Sequence, residues 1–194
     1  MAKKKHLLAL ILLLSLLGST TATATTATQE MAEWFTVNTP TDGKSGNWAL
    51  AAGSDIQHLV MAIDGIIYAG ANPSGTSYTL FKSTDDGFSW EYTGKVKDDI
   101  VDIATSPDDA DTIYYATLTT IYRSTDAGSN FTPLAANPGG AGSDNIEITA
   151  IDVFPLDNKH IIVVGTRDTD SLEYGGVYIL DENQPFASWI DTDL

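Results

Sequence analysis

The chain has 194 residues, and its 26 acidic side chains outnumber its 10 lysines and arginines, which gives a formal net charge of −16. Nucleic acids and anionic membranes attract clusters of cations, so this balance argues against both as partners. The sequence contains no cysteine, so a folded domain must be held by its hydrophobic core, for which this length is sufficient.

The first 27 residues have the layout of a secretory signal peptide followed by a Thr- and Ala-rich linker. Lys3–Lys5 form a basic segment, Leu7–Leu17 an apolar segment, and small residues follow in GSTTATATTATQ. The apolar segment is too short to span a bilayer, which takes about 20 residues. We expect cleavage after Ala24 or Ala27, no membrane span in the mature chain, and a secreted or extracytoplasmic location. An uncleaved N-terminal anchor is the alternative.

Residues 28–194 consist of short runs rich in Ile, Val, Tyr and Thr, which are separated by Pro, Asp and Gly and show no helical periodicity. Glu33–Pro40 predicts a single strand. Three units follow, over residues 47–94, 100–136 and 146–194, and each predicts four antiparallel strands. In the middle unit these are Ile100–Ser106, Thr112–Leu118, Thr120–Ser124 and Phe131–Ala135.

Repeated phrases relate the units to one another. IVDIATSPDDADTIYYAT in the middle unit aligns with ITAIDVFPLDNKHIIVVG in the last, and this alignment places Pro107 on Pro155 and Ile113 on Ile161, each 48 positions apart. Periods of about 40 to 50 residues are typical of propeller blades. We therefore predict an all-β fold of about three four-stranded β-propeller blades that form an incomplete ring.

A second repeated phrase occurs in the first two units. KSTDDGFSW (82–90) and RSTDAGSNF (123–131) share the pattern Ser-x-Asp-x-Gly-x-x-aromatic and lie 41 positions apart. The matching positions are Ser83, Asp85, Gly87 and Trp90 in the first phrase and Ser124, Asp126, Gly128 and Phe131 in the second. The pattern resembles the Asp-box, or bacterial neuraminidase repeat, of the sialidase-like and sortilin-like β-propellers. A looser resemblance is to the propeller of the photosystem II assembly factor.

In the families that these phrases resemble, the box caps the turn between the third and fourth strands of a blade, away from the active face. The residue types suit such a turn, because Asp accepts hydrogen bonds from backbone N–H groups and Gly permits positive φ. We interpret all eight residues as structural, and we expect Trp90 and Phe131 to be buried. The third unit keeps Trp189 at the aromatic position but lacks the Ser-x-Asp-x-Gly pattern.

The arginine content argues against sialidase chemistry. The sialidases grip a substrate carboxylate with three arginines, whereas this sequence contains only Arg123 and Arg167. We expect Arg123 at an exposed strand position, which leaves Arg167 for a site. A possible binding loop is formed by Arg167, Asp168 and Asp170, with an ordinary solvated loop as the alternative.

No metal site or cofactor is predicted from the remaining residues. His58 and His160 are isolated near strand ends, and we interpret both as structural. The carboxylates of SPDDADT and TRDTDSLE leave Ca²⁺ as an alternative, although neither stretch has the register of a known calcium loop.

The sequence thus predicts an exported, non-catalytic binding or assembly module whose loops hold a protein or a glycan. A fragment of a sialidase-type glycoside hydrolase is the alternative. Three blades and one strand are too few to close a propeller, and uncovered blade faces are apolar. We expect these faces to be covered either by further blades of a longer propeller, which we consider first, or by a second copy.

Overall fold

Strands, most of them short, are the main regular secondary structure in the part of the chain that the structure describes. The structure is a computed structural model, and it describes residues 53–135, 137–143, 145–157, 159–170 and 174–193. Runs of Ile, Val, Tyr and Thr end at turns that contain Asp, Gly or Pro, which keeps most of the strands short. The predicted signal peptide in residues 1–27 and the predicted strand Glu33–Pro40 lie outside the described residues.

The strands form three four-stranded antiparallel sheets, each a meander in chain order, which we call blades 1, 2 and 3. Blade 1 contains β1 (Asp55–Met61), β2 (Ile67–Asn72), β3 (Leu80–Ser83) and β4 (Glu91–Tyr92). Blade 2 contains β5 (Asp102–Thr105), β6 (Ile113–Ala116), β7 (Ile121–Ser124) and β8 (Thr132–Pro133). Blade 3 contains β9 (Ile146–Leu156), β10 (Lys159–Asp168), β11 (Val177–Asp181) and β12 (Ile190–Asp191).

The predicted all-β fold of propeller blades is confirmed. The first strands of the blades, β1, β5 and β9, lie beside one another, and the three sheets in the described residues do not close into a ring. Helical structure in the same residues is limited to one 3₁₀ turn, Pro138–Gly140, in the connection between blades 2 and 3. No helix in these residues has the length and apolar character that a membrane crossing requires.

Two hydrophobic clusters hold the blades together. The cluster between blades 1 and 2 includes Tyr68, Leu80, Ile103, Ile113 and Tyr115. The cluster between blades 2 and 3 includes Tyr114, Ile121, Ile151, Val153, Ile162, Val164 and Leu180. Because side chains alternate across a strand, the neighbouring residues Tyr114 and Tyr115 of β6 pack against different blades.

The strand register corrects one alignment made from the sequence. Ile161 was expected to match Ile113, but Ile162 takes that position, because Ile113 and Ile162 both pack against the preceding blade. The first turn of blade 3 is one residue longer, since Thr105 pairs with Ile113 whereas Val153 pairs with Ile162. A shift of one residue moves every side chain of a strand to the other face.

Each blade has two ends, because consecutive strands of a meander run in opposite directions. The box end carries the first and third turns of each blade, including residues 83–91 and 124–131. The loop end carries the second turn and the connections between blades, including residues 72–79 and 93–101. The box ends of neighbouring blades lie side by side, and so do their loop ends. At the box end, the Thr105 hydroxyl of blade 2 donates to the Met61 carbonyl of blade 1 at 3.3 Å. At the loop end, the Ile148 N–H of blade 3 donates to the Leu118 carbonyl of blade 2 at 2.8 Å.

Candidate functional site

The first box turn is closed by hydrogen bonds to its own serine and aspartate. The Ser83 hydroxyl donates to Oδ1 of Asp85 at 2.8 Å and accepts from the backbone N–H of Gly87 at 2.8 Å. The carboxylate of Asp85 accepts from the backbone N–H of Ser89 at 2.8 Å and from its hydroxyl at 2.6 Å. These side chains therefore satisfy backbone groups that have no partner in the strand ladder.

The second box turn repeats these bonds at the same offsets. Ser124 donates to Oδ1 of Asp126 at 2.7 Å and accepts from the N–H of Gly128 at 2.9 Å. Asp126 accepts from the backbone N–H of Asn130 at 2.8 Å and from its side-chain amide at 2.7 Å. Gly87 and Gly128 have φ values of +87° and +81°, in the region that glycine adopts most easily.

The same bonds favour the charged form of both box carboxylates. The hydroxyl and the backbone N–H of Ser89, followed by the hydroxyl of Ser83, lower the pKa of Asp85 below its usual range. The side-chain amide of Asn130, then Ser124 and the backbone N–H of Asn130, lower the pKa of Asp126 to about 2. Both carboxylates thus serve as acceptors within their own turns.

The aromatic residues of the two phrases are half-buried, which corrects the expectation that Trp90 and Phe131 are buried. Trp90 donates its indole N–H to a carbonyl of its own turn at 3.1 Å. Phe131 lies edge-on to Tyr115 of the same blade, with ring centroids 4.9 Å apart. Trp189 of blade 3 donates to the carbonyl of Ala135 in blade 2 at 2.9 Å, so its ring reaches the preceding blade.

The box turn of blade 2 is also a contact point with blade 1. The hydroxyl of Thr93 donates to the carbonyl of Gly128 at 3.1 Å. Gly94 lies so close that an added Cβ would be 2.8 Å from the Phe131 ring and 2.9 Å from the Gly128 carbonyl oxygen. The box turn therefore shapes the interface between the blades as well as its own hairpin.

A buried polar cluster joins blade 2 to blade 3 at the box end. The hydroxyl of Tyr114 lies 2.9 Å from Nδ1 of His160 and donates to Oε2 of Glu182 at 3.0 Å. Arg123 donates to Oε1 of Glu182 at 2.6 Å, and Lys159 donates to its backbone carbonyl at 3.0 Å. Tyr114, His160 and Glu182 are each at most 8% exposed, so this carboxylate is held by charged and polar partners away from water.

Ser106 and Asp108 complete the polar cluster on the other side of the imidazole. Nε2 of His160 lies 2.8 Å from Oγ of Ser106 and 3.0 Å from Oδ1 of Asp108, and the Ser106 hydroxyl donates to the same Oδ1 at 2.8 Å. The Ser106 and Tyr114 hydroxyls each donate their proton to a carboxylate, so each can only accept a hydrogen bond from His160. An imidazole that carries a proton on both nitrogens can donate to both hydroxyls. The hydrogen bond from His160 is the largest cause of the lowered pKa of Asp108. Burial is the largest cause of the raised pKa of Tyr114.

This cluster corrects the sequence analysis in two respects. Arg123 is half-buried and paired with Glu182, not placed at an exposed strand position. Glu182 was not recognised at all, because it lies 59 positions from Arg123 and 68 from Tyr114 in the chain. The alternation of β6 and β7 does place Tyr114 and Arg123 side by side on one face, which is the signal that could have suggested a polar interface.

Arg167 is paired as well, which corrects the expectation that it is left for a site. Its Nε and Nη2 both donate to Oε2 of Glu147, at 3.2 and 2.8 Å, across the β9–β10 pair. Of the two histidines considered above, His58 also contacts a carboxylate, with Nδ1 3.6 Å from Oδ1 of Asp102.

The rest of the predicted binding loop is attached to the connection between blades 2 and 3. Thr169 donates both its N–H and its hydroxyl to the carbonyl of Asn145, each at 3.0 Å. The side-chain amide of Asn145 donates to Asp170 at 2.6 Å, and Asp168 accepts from the N–H of Asp170 at 2.8 Å. These bonds give the loop a defined position at the loop end.

A cleft of about 240 Å³ opens at the loop end, between blade 1 and the connection to blade 2. It is lined by Gln57, Ala71, Asn72, Thr79, Asp99 and Ile100. Ala71 and Ile100 are buried, whereas Gln57, Asn72 and Asp99 are exposed. Gln57 is the extra residue at a β-bulge in β1, a feature that redirects a side chain out of the ladder.

Four carboxylates of the two acidic stretches contact protein groups, namely those of Asp108, Asp109, Asp168 and Asp170. Asp109 accepts from the hydroxyl of Thr112 at 2.7 Å and from the N–H of Asp111 at 3.0 Å, and Asp108 contacts the imidazole described above. Within the residues that the structure covers, no group of three or more His, Cys, Asp or Glu side chains is placed to hold a metal ion.

Comparisons with known proteins give likenesses among solved structures. No protein-family model matches the chain, and no curated protein matches it. A crystal structure of the GH74 enzyme of Niastella koreensis is similar, with a TM-score of 0.47 and 21% sequence identity. The match covers 70% of this chain and 21% of that one, so the chain spans about a fifth of the enzyme's length.

Proposed function

We propose that this chain is an exported, non-catalytic binding or assembly module and that its ligand contacts the loop end. The observation that carries the proposal is the cleft. Gln57, Asn72 and Asp99 line it, and none of the three side chains makes a hydrogen bond or ion pair within the described residues. Their polar groups are available to a partner, whereas those of the box turns bond within the chain.

The chemistry of the cleft favours a ligand that both donates and accepts hydrogen bonds. Among the residues that the structure describes, two amides and one carboxylate stand around a floor of Ala71 and Ile100, and no cation lines the cleft. Amide and carboxylate groups can bond to the hydroxyls of a glycan or to the backbone of a protein. A volume of about 240 Å³ is below the usual range for drug-sized ligands, so it suits one small unit of a larger partner.

We also propose that the two box turns belong to the Asp-box class of the sialidase-like and sortilin-like propellers. The support is the identical set of bonds at Ser83 and Asp85 and at Ser124 and Asp126. A sialidase-type hydrolase remains the alternative function. Against it stand the ion pairs of Arg123 with Glu182 and of Arg167 with Glu147, because each arginine already holds a carboxylate of the chain itself. Release of a fluorophore from a fluorogenic sialoside would favour the hydrolase.

The experiment measures binding of the purified chain to an array of neutral and sialylated glycans and to immobilised extracellular proteins. We expect the triple variant Gln57→Ala, Asn72→Ala, Asp99→Ala to lose the binding that the native chain shows, with an unchanged Tm. A matched control carries Thr84→Ala and Thr125→Ala, two exposed box-end positions, and should bind as the native chain does. Equal loss in both variants, or no binding by the native chain, would contradict the proposal.

A further inference from the structure

The cleft at the loop end presents three acceptor groups to a ligand. The side chains of Gln57, Asn72 and Asp99 line it, and each has an oxygen that accepts hydrogen bonds. Asp99 is the one charged side chain among the described residues that line the cleft, and its charge is negative. Electrostatic complementarity therefore favours a ligand group with a positive charge.

Asp99 is held beside the cleft by the bonds of its neighbour Asp98. The hydroxyl of Tyr115 in blade 2 donates to the carboxylate of Asp98 at 2.6 Å. The hydroxyl of Thr79 in blade 1 donates to the carbonyl of Asp98, also at 2.6 Å. Asp98 is thus attached to both blades, whereas the next residue, Asp99, is exposed at the cleft. Because the backbone next to this carboxylate is fixed before a ligand arrives, less freedom is lost on binding.

The two amides of the cleft belong to the first two strands of blade 1. Asn72 is the last residue of β2 and pairs with Asp55 of β1, and Gln57 lies at the bulge of β1. The N–H of Ala71, beside Asn72, donates to the carbonyl of Thr79 at 2.9 Å. Two paired strands and the connection to blade 2 therefore bring the three acceptors to one place.

The lysines nearest in the chain to Asp99 do not line the cleft. Lys95 and Lys97 belong to the same connection, and Nζ of Lys97 lies 5.2 Å from the centre of the Tyr78 ring. Neither is among the described residues that line the cleft, and the ion pairs found in the described part of the chain do not include Asp99. A positive group of a ligand thus meets no competing cation from these residues.

We propose that the cleft binds the side-chain ammonium group of a lysine in a partner protein. The proposal rests on the ligand site proposed above and names the chemistry of its ligand. An ammonium group has three N–H donors and no acceptor, which matches the three acceptors of the cleft. Ala71 and Ile100 form an apolar floor, and the methylene stem of a lysine can lie along such a surface while its charged end bonds to polar groups.

Other ligand groups match the cleft less well. A guanidinium group has five donors in a rigid fork, which exceeds the three acceptors. The hydroxyls of a neutral glycan can bond to the amides but leave the charge of Asp99 unbalanced, and a sialylated glycan adds a second negative charge. A peptide also has carbonyls beside its lysine, which can accept from the amide N–H groups of Gln57 and Asn72.

The test is an NMR titration of the ¹⁵N-labelled full chain with the peptide Ac-Gly-Ser-Lys-Ser-Gly-NH₂. We expect the backbone signals of Gln57, Asn72 and Asp99 to shift, and the binding to weaken as the salt concentration rises. The same peptide with Nε-acetyl-lysine keeps the stem and loses the charge. It should bind roughly 10-fold more weakly, because hydrogen bonds to charged groups are the stronger ones. A peptide with arginine in place of lysine should also bind more weakly.

A matched pair of variants locates the charge that matters. Asp99→Asn keeps an acceptor and removes the charge, so we expect the dissociation constant of the lysine peptide to rise roughly 10-fold. Asp86→Asn makes the same change at an exposed position of the box end and should bind as the native chain does. An unchanged Tm and far-UV circular dichroism spectrum show that both variants are folded.

Four results would overturn the proposal. They are the absence of shifts with the lysine peptide at millimolar concentration, equal affinity for the acetylated peptide, tighter binding of the arginine peptide, and equal weakening by Asp99→Asn and Asp86→Asn. The last result would mean that the acidic chain attracts cations in general. The loop-end ligand site fails separately, when the triple variant of Gln57, Asn72 and Asp99 binds its array ligand as tightly as the native chain.

Discussion

The hydroxyl of Tyr114 in blade 2 lies 2.9 Å from Nδ1 of His160 in blade 3. Tyr114→Phe removes this bond and the bond to Glu182, and it leaves two buried polar groups with one partner fewer. We expect a loss of about 1–3 kcal/mol in the free energy of unfolding, measured by denaturant titration. The control is Tyr122→Phe, at a half-buried tyrosine of the same sheet. Equal effects in both variants would show that the cluster does not stabilise the interface.

Tyr68 occupies the corresponding position in blade 1, yet its buried hydroxyl has no hydrogen-bond partner in the part of the chain that the structure describes. Burial, followed by the charges of Asp64 and Asp111, raises its pKa to about 12. Since the hydroxyl loses its water without gaining a bond, Tyr68→Phe should leave stability unchanged or raise it by up to about 1–3 kcal/mol. The same denaturant titration measures this, and destabilisation comparable to that of Tyr114→Phe would contradict the expectation.

Ser124 is buried and bonds to both the N–H of Gly128 and the carboxylate of Asp126. Ser124→Ala leaves the glycine N–H without its acceptor, so we expect destabilisation of about 1–3 kcal/mol. Thr125→Ala, at the exposed neighbouring position, is the control and should change stability by less than about 0.5 kcal/mol. If binding is lost in Ser124→Ala while Tm is unchanged, the box is a ligand site rather than a structural turn.

The depressed pKa of Asp126 makes the second box turn sensitive to acid. Its pKa is lower in the folded chain, about 2, than the value of about 3.9 for an unfolded chain. The contribution of Asp126 to stability is therefore fully present at a pH above its pKa in the unfolded chain. It is lost as the pH falls through its pKa in the folded chain. Asn130→Ala removes the largest cause of the shift, so the carboxyl of Asp126 should titrate at higher pH by NMR. The carboxyl of Asp85, in the first turn, should titrate as before in this variant.

A comparison of alanine variants at Gly94 and Gly75 should separate the energetic cost of a steric clash from the cost of backbone strain. Gly94→Ala and Gly75→Ala both place alanine at positive φ, at +56° and +85°, which costs about 1–2 kcal/mol. At Gly94 the new Cβ meets the Phe131 ring and the Gly128 carbonyl, whereas none of the described residues lies within 4 Å of a Cβ added at Gly75. Unfolding titrations should show an additional cost of about 1–3 kcal/mol for Gly94→Ala. Equal costs would mean that the contact between the blades relaxes freely.

The features that the sequence predicted are those that depend on residues close together in the chain and on repeated segments. The spacing of the two phrases gave the blades, and the run of strand-forming residues around Ile113 gave β6 nearly at its observed bounds. The alignment of Ile113 with Ile161 was wrong by one residue, because the turn before β10 is one residue longer and such a shift moves every side chain to the other face. The bonds among Tyr114, His160 and Glu182 were not predictable, since they join positions 46 and 68 residues apart and depend on how two sheets pack.

The bond between Asn130 and Asp126 has a consequence for chemical modification. Asn130-Phe131-Thr132 is an acceptor sequence for N-linked glycosylation, and the sugar would be joined to the side-chain nitrogen of Asn130. In the folded chain this nitrogen donates to Oδ2 of Asp126 at 2.7 Å. This nitrogen carries two hydrogens and a glycan replaces one of them, so a modified Asn130 would have to use its single remaining N–H to keep the bond to Asp126.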